Sequence, residues 1–262
     1  MTGPITLVQL TDTHLLAQPQ AELRGCIPWH TLQAVLTQLA SHRPDGVLLT
    51  GDLADQGDAA AYRRLRSVMQ ALEIPVYWLP GNHDHLPTLQ RVFRAPGFAG
   101  LRSIDLGTWR LLLLNSVLPQ ARFGEGYLAA EQLHWLQTEL SRHREQPTLV
   151  ALHHHPVPTG IDWLDQMPVL NATDFLAIVD TFPQVRLVLF GHIHQALAQP
   201  RLAQPGQPAV AFYGCPSTCL QVTPAIATPH AHLPGFRLLS LLADGSHRTQ
   251  VQRVHSVPIP HD

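Results

Sequence analysis

The sequence predicts an α/β fold whose strands deliver polar side chains to one end. Three observations carry this. Short apolar runs stop at clusters of Asp, Asn or His, stretches of helical periodicity lie between those runs, and the last part of the chain has strand-like runs with few helical signals. Open α/β sheets place ligands beyond the carboxyl ends of their strands, so these endings are expected to converge on one site.

The first strand, 5–10, runs into Thr11-Asp12-Thr13-His14. Residues 15–28 have little periodicity and hold Arg24, Gly25 and Cys26; they read either as the lip of a ligand site or as plain packing. A helix over 31–40 follows from the spacing of Leu32, Val35, Leu36 and Leu39, and it returns the chain to a strand at 47–49 that ends in Thr50-Gly51-Asp52. Such a crossover favours parallel strands. The segment 58–72 is the next helix, with Tyr62, Leu65, Val68, Met69 and Leu72 as its buried face. Strand 73–79 then meets Pro80-Gly81, which turns the chain and leaves Asn82, His83 and Asp84 on a strand-to-helix loop.

Between 83 and 101 the sequence predicts a short helix and a loop, with Phe93 and Phe98 packed. A strand at 109–114 leads to Asn115 and Ser116 and to a loop through Phe123, Gly124 and Tyr127 that can form part of a pocket rim. Helix 129–140 precedes strand 149–152, which ends in His153-His154-His155-Pro156; the irregular stretch 156–164, with Trp163, is expected to lie over the site. Helix 172–181 and strand 185–190 lead to Gly191-His192-Ile193-His194. Runs at 209–213, 236–242 and 250–254 are expected to be antiparallel strands completing a second sheet, with the Pro-rich run 200–208 bending between strands. No repeat or linker divides the chain, so one domain over 1–262 is expected.

Composition narrows the function. The chain has 262 residues, of which 45% are hydrophobic and 14% charged, and its formal charge is -2, so no basic field favours a nucleic-acid polymer. No run reaches membrane-spanning length, and the chain enters its first strand with no basic and apolar leader in front of it. Cys26, Cys215 and Cys219 form no even disulfide framework, which fits a reducing cytoplasm. Gly51 and Gly81 are isolated turn residues, with no glycine-rich phosphate loop or dinucleotide motif around them. Histidine, by contrast, is abundant: 17 residues, as many as Lys and Arg together.

Carboxylates and imidazoles suit first-row metals, and Asn adds a neutral carbonyl oxygen. Asp12, His14, Asp52, Asn82, His153, His192 and His194 stand at successive strand ends, an inventory large enough for two ions. Asp52 is the expected bridge, because one carboxylate can contact both ions. Two metals about 3.5–4 Å apart can lower the pKa of a water between them and stabilise the entering and leaving oxygens of phosphoryl transfer. His83 is assigned outside the metal shell, contacting a phosphoryl oxygen or protonating a leaving alkoxide. Asp84 can orient His83, cap the next short helix, or both. Trp163 reads as core packing or as a contact to an organic group, and Cys219 as a buried cysteine or a substrate contact.

Asp12-x-His14, Gly51-Asp52, Gly81-Asn82-His83-Asp84, His153-His154 and Gly191-His192-x-His194 resemble the ordered signature of calcineurin-like metallophosphoesterases. Thr11 to Leu15, His153-His154-His155-Pro156 with Trp163-Leu164-Asp165, Gly191 to Gln195, and Pro216-Ser217-Thr218-Cys219 are more specifically similar to bacterial class III cyclic AMP phosphodiesterases. The resemblance implies a four-layer α/β/β/α sandwich and a dinuclear centre, commonly of iron and manganese. One ion would be held by Asp12, His14, Asp52 and His194, the other by Asp52, Asn82, His153 and His192. His83 matches the catalytic histidine. Within the histidine triplet the motif favours His153 as ligand, leaving His154 to orient substrate or a ligand and His155 to a structural role. The implied reaction is hydrolysis of 3',5'-cyclic AMP to 5'-AMP, with Asn82, His83, His154 and Trp163 as substrate contacts. The alternatives are a broader phosphomono- or phosphodiesterase acting on 2',3'-cyclic nucleotides or glycerophosphodiesters, and a non-catalytic phosphate-ligand sensor. The resemblance fits a monomer or a homodimer, with a small phosphoester as the partner.

Overall fold

A computed structural model describes residues 3–202, 209–222 and 230–255. Two six-stranded sheets face each other. The first is ordered β12 (His247–Arg253), β11 (Gly235–Leu241), β1 (Ile5–Leu10), β2 (Gly46–Thr50), β3 (Val76–Leu79), β4 (Phe98–Gly100), and the second β5 (Ser103–Leu106), β6 (Trp109–Leu113), β7 (Thr148–Ala151), β8 (Val185–Phe190), β10 (Val210–Gly214), β9 (Leu197–Arg201). In the first, β1 (Ile5–Leu10), β2 (Gly46–Thr50), β3 (Val76–Leu79) and β4 (Phe98–Gly100) run parallel. They are joined by α1 (Pro28–Leu39), α2 (Ala59–Gln70) and α3 (Leu86–Val92). In the second, β6 (Trp109–Leu113), β7 (Thr148–Ala151) and β8 (Val185–Phe190) are parallel, joined by α4 (Ala130–Arg142) and α5 (Ala172–Thr181).

Side-chain alternation builds the layers. Successive strand residues point to opposite faces, and both faces here are apolar. Leu7, Leu48, Leu111, Leu113, Leu149, Leu187 and Leu189 pack between the sheets. Val8, Leu10, Val47 and Leu49 face the helical layer that includes Leu32, Val35, Tyr62, Leu65 and Met69. Leu112, Val150, Val188 and Phe190 face Leu136, Leu140, Phe175 and Val179. The result is the expected α/β/β/α order. Near the strand ends Gln9 of β1 crosses between sheets, its Nε2 donating to the Phe190 carbonyl (3.1 Å) and to Thr50 Oγ1 (3.0 Å). That buried link helps to set where the two groups of strand ends meet.

The late strands depart from expectation. They do not make one sheet: β10 (Val210–Gly214) lies parallel to β8, whereas β11 (Gly235–Leu241) and β12 (His247–Arg253) extend the first sheet, β11 antiparallel to β1. The physical reason is the free edge of β1, beside which Leu239 and Leu241 complete the inner face while Phe236 completes the outer. The second sheet instead begins at β5 (Ser103–Leu106), just after the chain leaves β4. Strand β9 (Leu197–Arg201) contains Pro200 and sits at the sheet edge, where a missing N–H is tolerated. Pro200 therefore lies in a strand, and 203–208 fall outside the described residues.

Candidate metal centre

The parallel strands β1, β2 and β3 of one sheet and β6, β7, β8 and β10 of the other end at the same rim. Beyond their last residues the chain makes tight reversals. Asp12, His14, Asp52, His192 and His194 all have positive φ, between 43° and 65°. Left-handed backbone is disfavoured for residues with a Cβ, by about 1–3 kcal/mol each. It is held here by tertiary hydrogen bonds such as Asp12 N to Gly51 O and His14 N to Asp52 O, both 2.9 Å. The glycines make room: a Cβ at Gly51, whose φ is +95°, would strike His153 Nδ1, and one at Gly81 would strike Asp52 Oδ1.

Hydrogen bonds aim the imidazoles. His153 Nδ1 lies 2.8 Å from the Thr50 carbonyl and His194 Nδ1 2.8 Å from the Leu220 carbonyl. A carbonyl only accepts, so Nδ1 carries the proton in each ring and Nε2 is presented inward. His14 Nδ1 is 3.0 Å from Asp55 Oδ1, which turns its Nε2 the same way. His14 Nε2 and His194 Nε2 then face each other at 3.3 Å. Asp12 Oδ1 lies 3.2 Å from His194 Nε2, and Asp52 Oδ2 lies 3.8 Å from His14 Nε2. Two inward lone pairs and two carboxylates form a pocket for a cation.

The other half shares Asp52. His153 Nε2 is 3.3 Å from Asp52 Oδ2 and 3.2 Å from Asn82 Oδ1. His192 stands beside His153, with ring centroids 5.1 Å apart, and its buried Nε2 has no hydrogen-bond partner. His192 also lines the cavity over the cluster, where an imidazole nitrogen not engaged by the protein is a donor suited to a first-row metal. Sets of inward donor atoms, Asp12-His14-His194 and Asp12-Asp52-His153 among them, lie within 4.8 Å of one another. The donor chemistry fits a dinuclear metal-binding cluster.

Electrostatics agree. Burial opposes charge on Asp12 and Asp52, yet His194 beside the first and His153 beside the second hold both carboxyls below their usual range. Burial likewise opposes protonation of His153, but the Asp52 carboxylate lifts it to about 9, and Asp12 raises His194. Positive charge is thus favoured along both carboxylate–imidazole seams. Burial, reinforced by neighbouring histidines, pushes His154 and His192 well down and keeps them neutral.

His83 stands at the edge of the cluster, its ring 4.8 Å from that of His14, with its side chain partly exposed. Its Nδ1 is 2.9 Å from the Asp55 carbonyl and 3.6 Å from Asp55 Oδ1. Asp84 therefore requires correction. It neither orients the His83 ring nor caps α3, whose N-cap position is His85 with no side-chain capping bond. Its carboxylate accepts from Leu53 N, Ala54 N, Gly81 N and Tyr62 Oη, tying the ends of β2 and β3 together. Burial and the nearby Asp52 raise Asp84 to about 6. Sequence reasoning missed Asp55, which serves both His14 and His83. The available signal was its place in Gly51-Asp52-x-x-Asp55, where the strand-end turn can bring a second carboxylate back to the rim.

In the histidine triplet, His154 Nδ1 pairs with Ser116 Oγ at 2.8 Å, while its Nε2 is buried without a partner beside His192. His155 is buried, stacks on His192 and is pushed down to about 4 by burial, as suits a structural residue. The loops around 115–127 and 156–164 reach the rim, and so does 15–28, which the sequence left open between lip and packing: Leu23 and Arg24, Phe123, and Trp163 with Leu164 line one cavity with the cluster. Trp163 is 47% exposed, so it is not core packing. Cys219 is buried.

The paired sheets and the Asp/His cluster at their rim define a dinuclear metallophosphoesterase. The chain belongs to the calcineurin-like phosphoesterase family, whose model matches residues 5–196. It is similar to a 3',5'-cyclic-nucleotide phosphodiesterase of Nostoc sp. (strain PCC 7120), with 40% identity over 261 residues, 98% of this chain and 95% of that one. The 3',5'-cyclic adenosine monophosphate phosphodiesterase CpdA of Escherichia coli (strain K12) is 38% identical over 255 residues, 95% of this chain and 90% of the relative. Among solved structures, a dimetal phosphatase from Danio rerio superposes with a TM-score of 0.66 at 16% identity, covering 97% of this chain and 100% of that one. A purple acid phosphatase from yellow lupin gives 0.70 at 15%, covering 99% of this chain and 53% of that one. At those identities the likeness concerns the fold alone. Among the described residues no helix is long and apolar enough to cross a membrane.

Proposed function

We propose that this protein hydrolyses 3',5'-cyclic AMP to 5'-AMP at a two-metal centre. The observation that carries the reading is a cavity of about 330 Å³ lined by His14, Asp52, Asn82, His83, His192 and His194. Phe123, Trp163, Leu220 and Arg24 line it as well. That volume is in the range of small-molecule sites, about 300–1,000 Å³, and the aromatic faces suit a base above a phosphoryl group. The names of relatives at 38–40% identity point the same way.

Asp12, His14, Asp52 and His194 would hold one ion, and Asp52, Asn82, His153 and His192 the other. When bound, the pair would supply positive charge to the phosphoryl oxygens and lower the pKa of water. His83 keeps Nδ1 on the Asp55 carbonyl, which leaves Nε2 to meet a phosphoryl oxygen or to give a proton to the departing 3' oxygen. His154 borders the second half, where it can orient His192 or the substrate. We assign iron and manganese as the native pair on the family resemblance; oxygen and imidazole donors suit both. We place this single-domain enzyme in the cytoplasm as a monomer or homodimer, which native mass measurement distinguishes.

A second reading, a broader phosphoesterase acting on 2',3'-cyclic nucleotides or glycerophosphodiesters, is favoured by the lining beyond the cluster, which among the described residues is mostly apolar and aromatic, with Arg24 as its positive group. Metal-loaded protein incubated with 3',5'-cyclic AMP, 3',5'-cyclic GMP, 2',3'-cyclic AMP, glycerophosphodiesters and phosphomonoesters separates the two. The expected result is 5'-AMP from 3',5'-cyclic AMP with the highest efficiency. Strong preference for another substrate, with no product from 3',5'-cyclic AMP above a metal-only control, overturns the narrow reading and leaves the family chemistry standing. Binding without turnover of any of them would identify a sensor.

A further inference from the structure

Two thiols meet at the edge of the metal pocket and take no part in the phosphoester chemistry. Cys26 Sγ lies 3.1 Å from Cys219 Sγ, although the residues are 193 apart in sequence. Neither sits on a loose segment. Leu23 and Cys26 exchange both backbone hydrogen bonds, at 2.8 and 3.1 Å, around Arg24 and Gly25, whose φ values are +50° and +86°. Positive φ at both central residues is the mark of a type I′ turn, which fixes the direction of the flanking side chains. Gly25 N also donates to Glu22 Oε1 at 3.0 Å. On the other side, Cys219 N donates to Ser217 Oγ (2.9 Å), which in turn donates to the Asp12 carbonyl (2.7 Å). The next residue, Leu220, accepts from His194 Nδ1. The turn contributes Leu23 and Arg24 to the pocket, and the segment after Cys219 contributes Leu220 and Val222.

The two sulfurs differ in character. Cys26 is half-buried and Cys219 buried. The hydrogen bond from Cys219 lowers the Cys26 thiol against the effect of burial, and the same contact raises Cys219. A partly accessible thiol whose ionisation is favoured, in contact with an enclosed thiol whose ionisation is opposed, suits an attacking and a resolving cysteine. Cys215 offers an internal contrast: it is buried, burial pushes it up to about 12, and its Sγ contacts the Gln9 carbonyl rather than another sulfur.

We propose that Cys26 and Cys219 are a modification site, a dithiol that closes to a disulfide on reaction with a low-molecular-weight disulfide and pins the 22–27 turn to the 217–222 segment beside the metal pocket. The Cys26 thiolate attacks one sulfur of glutathione disulfide, whose S–S bond breaks and releases one glutathione thiolate. Cys219, having lost its proton to solvent, then attacks the Cys26 sulfur and expels the second glutathione. The protein pair loses two electrons, and one glutathione disulfide becomes two thiols that take up the two protons.

The test uses full-length, metal-loaded protein incubated with glutathione disulfide, followed by alkylation of free thiols and peptide mass mapping. Wild type and Cys215→Ser should yield a dithiothreitol-sensitive peptide linking Cys26 to Cys219. Cys219→Ser should retain glutathione on Cys26, and Cys26→Ser should show neither a link nor glutathione on Cys219. In oxidised wild type, amide hydrogen exchange at the 22–27 turn should slow. Stable glutathione on wild-type Cys26 without a link, a link through Cys215, or full alkylation of all three thiols overturns the proposal. A linked protein whose turn exchanges at an unchanged rate overturns the pinning.

Discussion

The half of the metal centre built on Asp12, His14 and His194 differs from the half built on Asn82, His153 and His192 in how its polar atoms are satisfied. In the first, Asp12 accepts from the Thr11 hydroxyl at 2.6 Å and from the His192 backbone N–H, and both imidazoles are anchored through Nδ1, by Asp55 and by the Leu220 carbonyl. In the second, the Nε2 atoms of His192 and His154 are buried without partners, and the one carboxylate is the shared Asp52. The first half is formed by its own hydrogen bonds. The second has fewer internal partners for its imidazoles, so its order should depend more on metal.

The largest effect should come from Asp52, the residue common to both halves. Asp52→Ala is expected to remove stoichiometric binding of both ions and bring turnover below detection, read by metal analysis and product formation. An Asp52→Ala protein that still holds either ion tightly breaks the idea of a shared carboxylate. His83→Ala should keep both ions and lose about 10² to 10³ in turnover, the range for deleting a donor that acts on the transition state. Near-normal turnover with metals and substrate saturating would refute that role. Asp55→Ala sharpens the comparison, since it frees His14 but touches nothing in the second half. Metal affinity should fall about 10- to 100-fold, as for other residues that orient a ligand, and isothermal titration should show the loss in only one of two binding steps.

The smallest effect on turnover is expected from Asp84. Asp84→Ala strands the donors at Leu53, Ala54, Gly81 and Tyr62, so denaturant unfolding should show a loss of about 1–3 kcal/mol or more. Turnover at saturating metal should stay close to wild type. A selective fall in turnover with stability intact would return Asp84 to the catalytic role its place beside His83 suggests.

The difference between Asp55 and Asp84 also shows what could be read from the chain. The gathering of Asp12, His14, Asp52, Asn82, His153, His192 and His194 at one rim was legible because each follows an apolar run that must be a strand, and strand ends in such sheets share a rim. Strands β1 and β8 and helix α5 lie at the expected residues for the same local reason. Adjacency misled at Asp84: its backbone follows His83, but its carboxylate turns to the N–H groups at the end of β2. Asp55, three positions past Asp52, reaches His83 only because the left-handed turn at Asp52 folds the segment back over the rim. Strands β4, β5 and β9 are short or at edges and carry little periodicity, and the pairing of β11 with β1 is a long-range choice that no local pattern encodes. The Cys26–Cys219 contact is hidden for the same reason.

Anomalous diffraction from crystals of metal-loaded protein tests the central claim most directly, because it locates ions relative to both halves at once. Two peaks are expected, one among Asp12, His14 and His194 and one among Asn82, His153 and His192, with the Asp52 carboxylate between them. A single peak in catalytically active crystals, or a second ion bound away from Asp52, would contradict a centre built from two unlike halves around one carboxylate.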